Sequence, residues 1–223
     1  MNICADILRN TENDPNFLEN VITYDESWFF QYDPESKHQS MHWKSPSSPR
    51  QKKARQSKSK FKAMMICPPP DIRGTVHVGW VSKGQTVIQV YYKEVLTNRE
   101  RVRRRPEIWK NGSWFLHRDN APAHNALSFK TFLTKHKITV LEQPPYSPEL
   151  APCDLFFLFT EIKSALRGTR FESVDAVKAK ATELMNKLPE DDLQHCFQQW
   201  KIRMERCRDR GGECIEGDSI SVV

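Results

Sequence analysis

The spacing of apolar residues in the first third of the chain predicts a β-meander. β-Branched and aromatic residues are concentrated over 21–30, which predicts a first strand. A short apolar run at 61–67 predicts a second strand, and Val76, Val78 and Trp80 alternate with other residues as in a third. We expect these strands to pair antiparallel, with a long polar insertion between the first and the second.

The rest of the chain alternates strands with helices. Residues 113–119 and 138–141 predict a fourth and a fifth strand. Apolar residues at three- and four-residue spacing predict helices at 87–105, 123–136, 154–166, 174–188 and from Pro189 onward. This order predicts an α/β fold with a five-stranded mixed sheet flanked by helices, in which the first and fourth strands lie side by side.

Length and composition are typical of one globular unit with short appendages. The chain has 223 residues, of which 38% are hydrophobic and 10% aromatic, enough to fill a core. We expect residues 21–210 to form this unit, 1–20 to be a polar linker with no clear core face, and 211–223 to be a frayed tail. The longest apolar run, Leu155–Phe159, is far too short to span a membrane, and no signal segment opens the chain. A soluble intracellular protein is therefore expected.

The net charge of +6 is unevenly distributed. The segment 42–60, inserted between the first two strands, holds seven basic residues and no acid. The segment 99–105 holds five arginines and one glutamate, so the remainder of the chain carries −5. Such concentration favours a polyanionic partner, although a solvated loop is the alternative for the first segment and a helix end is favoured for the second. The basic residues of the first segment are Lys44, Arg50, Lys52, Lys53, Arg55, Lys58 and Lys60.

Three aspartates fall where the predicted sheet would bring carboxylates together. Asp25 lies in the first strand, Asp119 ends the fourth, and Asp154 opens the helix after the fifth. Clustered carboxylates require a cation, and hard oxygen ligands without a zinc-type Cys or His pattern favour Mg²⁺ or Mn²⁺. Two such ions about 3.5–4 Å apart would support phosphodiester displacement. The alternative is that each aspartate is an ordinary helix cap or turn residue.

Each of the three aspartates lies in a distinctive motif. The motifs are Thr23-Tyr24-Asp25-Glu26-Ser27-Trp28, His117-Arg118-Asp119-Asn120-Ala121-Pro122-Ala123-His124 and Pro145-Tyr146-Ser147-Pro148-Glu149-Leu150-Ala151-Pro152-Cys153-Asp154, and 34 residues separate the second and third aspartates. These motifs and this spacing resemble those of mariner-type transposases, and the third acid is Asp as in the mariner branch. The resemblance covers almost the whole chain.

The resemblance implies a ribonuclease H-like catalytic domain that cuts double-stranded DNA at transposon ends and joins it to target DNA. It implies that Asp25, Asp119 and Asp154 are catalytic and hold two Mg²⁺ or Mn²⁺ ions. It also implies that the basic arm, residues 42–60, contacts DNA and the partner subunit of a homodimer, and a nuclear location is expected. The family's N-terminal helix-turn-helix region is not expected, because the chain begins too late along the family pattern to hold it.

Two departures from the family pattern keep a second function open. Pro68-Pro69-Pro70 shortens the second strand, and the apolar run after Asp154 is one residue longer than the pattern. A catalytically inactive DNA-binding or dimerising remnant of a transposon is therefore the alternative. Two neighbouring residues are not assigned to the site: alternation places Glu26 on the face opposite Asp25, and His117 is expected to be a packed histidine.

Overall fold

Two three-stranded sheets meet at residues 21–30, the predicted first strand. The computed structural model describes residues 3–23, 25–41, 43, 45, 47–48, 56–67, 70–71, 74–75, 79–82, 93, 114–145, 147, 150–152 and 158–213. The predicted first strand appears in it as β1 (Val21–Thr23) and β2 (Asp25–Phe30), and each belongs to one of the two sheets. The predicted α/β class is confirmed.

The first sheet is parallel and has the order β1, β7 (Phe115–Arg118), β8 (Thr139–Glu142). Val21 lies opposite Phe115 and Thr23 opposite His117, and Phe115 in turn lies opposite Thr139. The predicted adjacency of the first and fourth strands is thereby confirmed. Parallel strands end at the same edge of a sheet, so the residues that follow β1 and β7 emerge side by side.

The second sheet is antiparallel and has the order β2, β3 (Lys62–Cys67), β6 (Gly79–Trp80), as the meander predicts. After β3 the chain forms a small hairpin from β4 (Pro70–Asp71) and β5 (Gly74–Thr75). In this hairpin Asp71 lies opposite Gly74. Pro68 and Pro69 lie outside the described residues.

Six α-helices belong to the described part of the chain. They are α1 (Ile3–Asn13), α2 (Pro122–Asn125), α3 (Leu127–Lys135), α4 (Leu158–Leu166), α5 (Val174–Asn186) and α6 (Glu190–Asp209). The single helix predicted over 123–136 is divided at Ala126, whose backbone is extended. Bonds from Asn125 to Asn120 and from Arg118 to Asn125 hold α2 against the end of β7, and the chain changes direction before α3 begins.

Alternate residues of the parallel sheet enter separate cores on its two faces. Val21 and Leu141 pack with Phe197 and Trp200 of α6, whereas Ile22 and Leu116 pack with Phe129 and Leu133 of α3. A third core joins Phe29 and Met65 of the antiparallel sheet to α4 and α5. The period-two pattern of a strand covered on both faces explains this arrangement.

The N-terminal segment corrects one expectation. Cys4, Ile7 and Leu8 of α1 are buried with Trp200, Met204 and Cys207 of α6, although the sequence pattern showed no core face there. Three residues at helical spacing are enough to bury one side of α1 against a long helix. Within the residues that the structure describes, no helix has the length and apolar character of a membrane span.

Candidate active site

Asp25 and Asp119 occupy matching positions at the end of the parallel sheet. Thr23 of β1 and His117 of β7 form the last pair between these two strands, and Asp25 and Asp119 each lie two residues beyond it. Asp25 is the first residue of β2, and Asp119 directly follows β7. The structure therefore places these two predicted site residues at one edge, as the sequence pattern indicated. We call this region, with Glu26, Asn120 and His124, the acidic corner.

The carboxylate of Asp119 is held by two donors on a single oxygen. Its Oδ1 accepts a hydrogen bond of 3.1 Å from the backbone N–H of Ala121 and lies 2.6 Å from Nδ1 of His124. Among the described residues none forms a hydrogen bond with Oδ2 of Asp119, and 47% of the Asp119 side chain is exposed. The hydrogen bond with His124 is the main cause that lowers the pKa of Asp119, with the Ala121 N–H and the charge of Arg118 adding to it and burial opposing it.

The turn that carries Asp119 is tied to the neighbouring strand and helix. Nδ2 of Asn120 donates to the backbone oxygen of Gln143 at 2.7 Å, just beyond β8. The buried guanidinium of Arg118 donates to the backbone oxygen of Asp119 at 3.1 Å and to Oδ1 of Asn125 at 3.3 Å. These bonds connect β7, β8 and α2, so the position of Asp119 depends on three elements.

The proline-rich loop before Asp154 is also fixed from within the protein. Nε2 of Gln143 donates to the backbone oxygen of Ser147 at 2.7 Å, and Nε1 of the buried Trp200 donates to that of Leu150 at 2.8 Å. The Cys196 thiol, whose pKa burial raises to about 12, contacts the oxygen of Pro152 at 3.6 Å. Asp154 itself lies outside the described residues, so its predicted convergence with the other two acids stays a prediction.

His124 and Glu26 belong to the acidic corner although neither was assigned to the site from sequence. Nε2 of His124 lies 3.9 Å from Oε1 of Glu26, while Nδ1 of the same ring bonds Asp119. Glu26 also donates its backbone N–H to Oδ1 of Asp25 at 2.7 Å. Glu26 thus lies near the ring of His124, while its exclusion as a metal ligand stays a prediction. The available signal was the His at the end of the Asp-Asn-Ala-Pro-Ala-His run.

His117, by contrast, is the packed histidine that the sequence predicted. Its side chain is buried, contacts Oγ1 of Thr23 at 3.4 Å and meets the Trp200 ring edge-on at 4.9 Å between centroids. Burial lowers the pKa of His117 to about 4, although the charge of Asp119 opposes this. A neutral imidazole suits this core position.

The acidic corner has donors that fit a hard divalent cation. Asp119 is held in its ionised form with one oxygen directed away from its protein partners, and Asp25 lies at the same edge. Carboxylate oxygens are the ligands that Mg²⁺ and Mn²⁺ prefer. Among the described residues no three acidic, His or Cys side chains form a group that could hold a metal, and the third predicted ligand, Asp154, is outside them.

Of the seven predicted DNA-binding residues, the described ranges include only Lys58 and Lys60. Both are exposed, and Nζ of Lys58 lies 3.5 Å from Oδ1 of Asp33 and 4.9 Å from the centre of the Phe30 ring. Lys44, Arg50, Lys52, Lys53 and Arg55 lie outside the described residues, as does the arginine-rich segment 99–105.

Sequence comparison finds relatives among transposases. The chain is 31% identical over 219 residues to the Mariner Mos1 transposase of Drosophila mauritiana, covering 96% of this chain and 61% of that protein. It is 26% identical over 217 residues to the histone-lysine N-methyltransferase SETMAR of Homo sapiens, covering 94% of this chain and 30% of that protein. The chain thus spans less than two thirds of these relatives. No family model matches it.

Solved structures of Mos1 share the fold. A pre-cleavage Mos1 transpososome matches with a TM-score of 0.84 at 29% identity, covering 96% of this chain and 62% of the Mos1 chain. A Mos1 paired-end complex with Mn matches at 0.83 and 29% identity, covering 95% and 61%. The isolated catalytic domain of Mos1 matches at 0.76 and 27% identity, covering 96% of this chain and 93% of that domain.

Proposed function

Because this chain is homologous to the mariner Mos1 transposase and matches the fold of its catalytic domain, we propose that it is a DNA transposase catalytic domain. Its reaction is the cleavage of phosphodiester bonds at transposon ends and the transfer of the cut strand into target DNA. The observation that carries this proposal is the Asp119 carboxylate, ionised and fixed through one oxygen beside Asp25 at the end of β1 and β7.

Asp25, Asp119 and Asp154 are the proposed ligands of two Mg²⁺ or Mn²⁺ ions. Mos1 complexes have been solved with either metal, which supports this choice. When bound, ions of this kind supply Lewis-acid activation of an attacking water or 3′-hydroxyl and stabilise the leaving oxygen. The role of the chain is to hold the carboxylates ionised and in place: His124 and Ala121 do so for Asp119, and Trp200 fixes the loop that leads to Asp154.

The proposed fold is one five-stranded ribonuclease H-like sheet. β1 and β2 are separated only by residue 24, so the two three-stranded sheets share the predicted first strand. The combined order would then be β6, β3, β1–β2, β7, β8. This arrangement puts Asp25 at the junction between the sheets, where it can face Asp119.

The proposed partners are double-stranded DNA and a second copy of the chain. The basic arm, residues 42–60, supplies seven positive charges for phosphate contacts. Mos1 relatives are solved as paired-end complexes with transposon ends, which supports a homodimer that holds two DNA ends. A nuclear location follows from a chromosomal DNA substrate.

The test is cleavage of pre-nicked transposon-end DNA by the purified chain in Mn²⁺. We expect wild type to cut and Asp119→Ala to lose about 10³-fold or more, because a metal site contributes several kcal/mol to the transition state. Asp191→Ala, which removes an exposed carboxylate from the first turn of α6, should retain wild-type activity.

Two results would contradict the proposal. Equal cleavage by wild type and Asp119→Ala would exclude the acidic corner as the catalytic site. Salt-dependent DNA binding by a wild-type chain that shows no metal-dependent cleavage would instead identify the non-catalytic remnant.

A further inference from the structure

A buried imidazole lies between two carboxylates at the edge of the candidate site. His124 is 1% exposed, with Nδ1 2.6 Å from Oδ1 of Asp119 and Nε2 3.9 Å from Oε1 of Glu26. We propose that His124 is a positioning residue that orients Asp119 for metal binding. This inference rests on the proposed function.

The hydrogen bond defines which nitrogen of His124 carries a proton. A carboxylate that binds a metal ion is an acceptor only, so the 2.6 Å contact with Oδ1 of Asp119 makes Nδ1 of His124 the donor. A carboxylate bonded to a histidine in this way has one oxygen committed to the protein and the other available. In metal sites, partners of this kind orient the ligand and keep it basic.

The backbone around His124 is tied to the turn that carries Asp119. Pro122 begins α2 at a position where a missing N–H costs nothing, and the His124 N–H donates to the oxygen of Ala121 at 2.9 Å. Nδ2 of Asn125 donates to the oxygen of Asn120 at 3.1 Å. The short helix is therefore fastened at both ends to the turn that carries Asp119, and the ring packs at 6.4 Å from that of Phe129.

The burial of His124 distinguishes this role from that of a surface residue. With 1% of its side chain exposed, the ring is held by the protein around it and presents Nδ1 to Oδ1 of Asp119. Loss of the ring should leave the Ala121 N–H as the remaining donor to Oδ1 among the described residues, so the carboxylate should be less restrained.

Three substitutions of His124 separate orientation from bulk. The amide nitrogen of Asn can stand where Nδ1 stands, whereas the longer Gln places its nitrogen nearer to the Nε2 position, and Ala has no donor. The measurement is Mn²⁺ affinity of the full chain without DNA, followed by the electron paramagnetic resonance signal of free Mn²⁺. The exposed His136, the C-cap of α3, provides the control His136→Ala.

We expect His124→Ala and His124→Gln to weaken Mn²⁺ binding by about 10–100-fold, the usual range for such outer partners. His124→Asn should bind within a few-fold of wild type, and His136→Ala should match it.

Three results would overturn the inference, and the last also reaches the proposed function. Wild-type Mn²⁺ affinity in folded His124→Gln would remove the orienting role and leave the transposase proposal intact. Equal weakening by Asn and Gln would assign His124 a role in packing only. A wild-type chain that neither binds Mn²⁺ nor cleaves DNA would overturn both proposals.

Discussion

The two ends of β2 are fastened to the rest of the protein by different kinds of contact. At its start, the acidic corner relies on buried side chains, among them His124, Arg118 and Gln143. At its end, residues 31–39 join the segment 164–172 through what we call the arm anchor, whose bonds are mostly to backbone atoms. They include Gly168 N–H to the oxygen of Asp33 at 2.8 Å and Phe171 N–H to that of Gln31 at 3.0 Å.

The two regions should respond to different kinds of substitution. In the acidic corner the bonds depend on individual side chains, of which His124 and Arg118 are buried, so a substitution there removes the bond itself. In the arm anchor the bonded backbone survives most side-chain changes, and exposed contacts such as Gln39 Nε2 to the oxygen of Ser164 at 2.9 Å can be exchanged for water. The anchor should therefore be sensitive to backbone strain, and the corner to side-chain chemistry.

The largest expected effect is that of Trp200→Ala, beneath the acidic corner. The buried ring packs on His117, and its Nε1 donates to the oxygen of Leu150. Removing it should lower the free energy of unfolding by about 3–5 kcal/mol, as for other buried aromatic side chains. Urea denaturation measures this, with Trp28→Ala as the matched control. Because Trp28 is 40% exposed on β2, its loss should cost about 1 kcal/mol or less.

Trp200→Phe tests the hydrogen bond of Trp200 separately from its packing. It keeps the ring contact with His117 but leaves the oxygen of Leu150 without its donor, which should cost about 1–3 kcal/mol. A stability equal to that of wild type would show that water reaches Leu150. The acidic corner would then be no better shielded than the arm anchor.

Gly168→Ala tests the arm anchor through its backbone. Gly168 has a φ of +80°, and a Cβ built on it would lie 2.8 Å from Cγ of Glu35. The positive φ alone should cost about 1–2 kcal/mol, with the contact adding to it. Gly211→Ala is the control, because its φ is +67° but nothing lies within 4 Å of the added Cβ.

The double variant Gly168→Ala/Glu35→Ala separates the two contributions. In thermal or urea denaturation, the loss of stability that Gly168→Ala causes in a chain already carrying Glu35→Ala should equal the loss that Gly211→Ala causes in the wild-type chain. Equal losses for both single glycine variants would mean that Glu35 moves aside freely. The arm anchor would then be looser than its backbone bonds indicate.

Local pattern was sufficient to predict the strands and their neighbours. Alternation and β-branched residues mark β1 and β7, and the order of elements then leaves few ways to connect them, so their adjacency was predicted and only the register of Val21 opposite Phe115 came from the structure. Asp25 and Asp119 are placed by that pairing alone. This part of the site was predictable because it depends on backbone register.

The remainder depends on contacts between residues distant in sequence. The core face of α1 is visible only against α6, nearly the whole chain away, and Cys4 contributes to it although a cysteine gives no helical signal of its own. His124 enters the acidic corner from α2, which ends at the extended Ala126 and is held by bonds of Asn125 to Arg118 and Asn120. Local spacing alone specifies neither feature, because each depends on its partner elsewhere in the chain.

The smallest effect is expected where the arm returns to β3, and it concerns DNA affinity more than stability. Lys58 is paired with Asp33 at 3.5 Å, whereas Lys60 forms no ion pair with any residue of the described ranges. If Lys60 contacts a phosphate, Lys60→Ala should reduce the slope of log binding constant against log salt concentration by about 0.9, whereas Lys58→Ala should reduce it less because Asp33 already offsets that charge. Fluorescence anisotropy of labelled duplex DNA at several salt concentrations measures both slopes. Equal reductions would show that the Lys58–Asp33 pair opens when DNA binds, so that Asp33 does not weaken the contact of Lys58 with a phosphate.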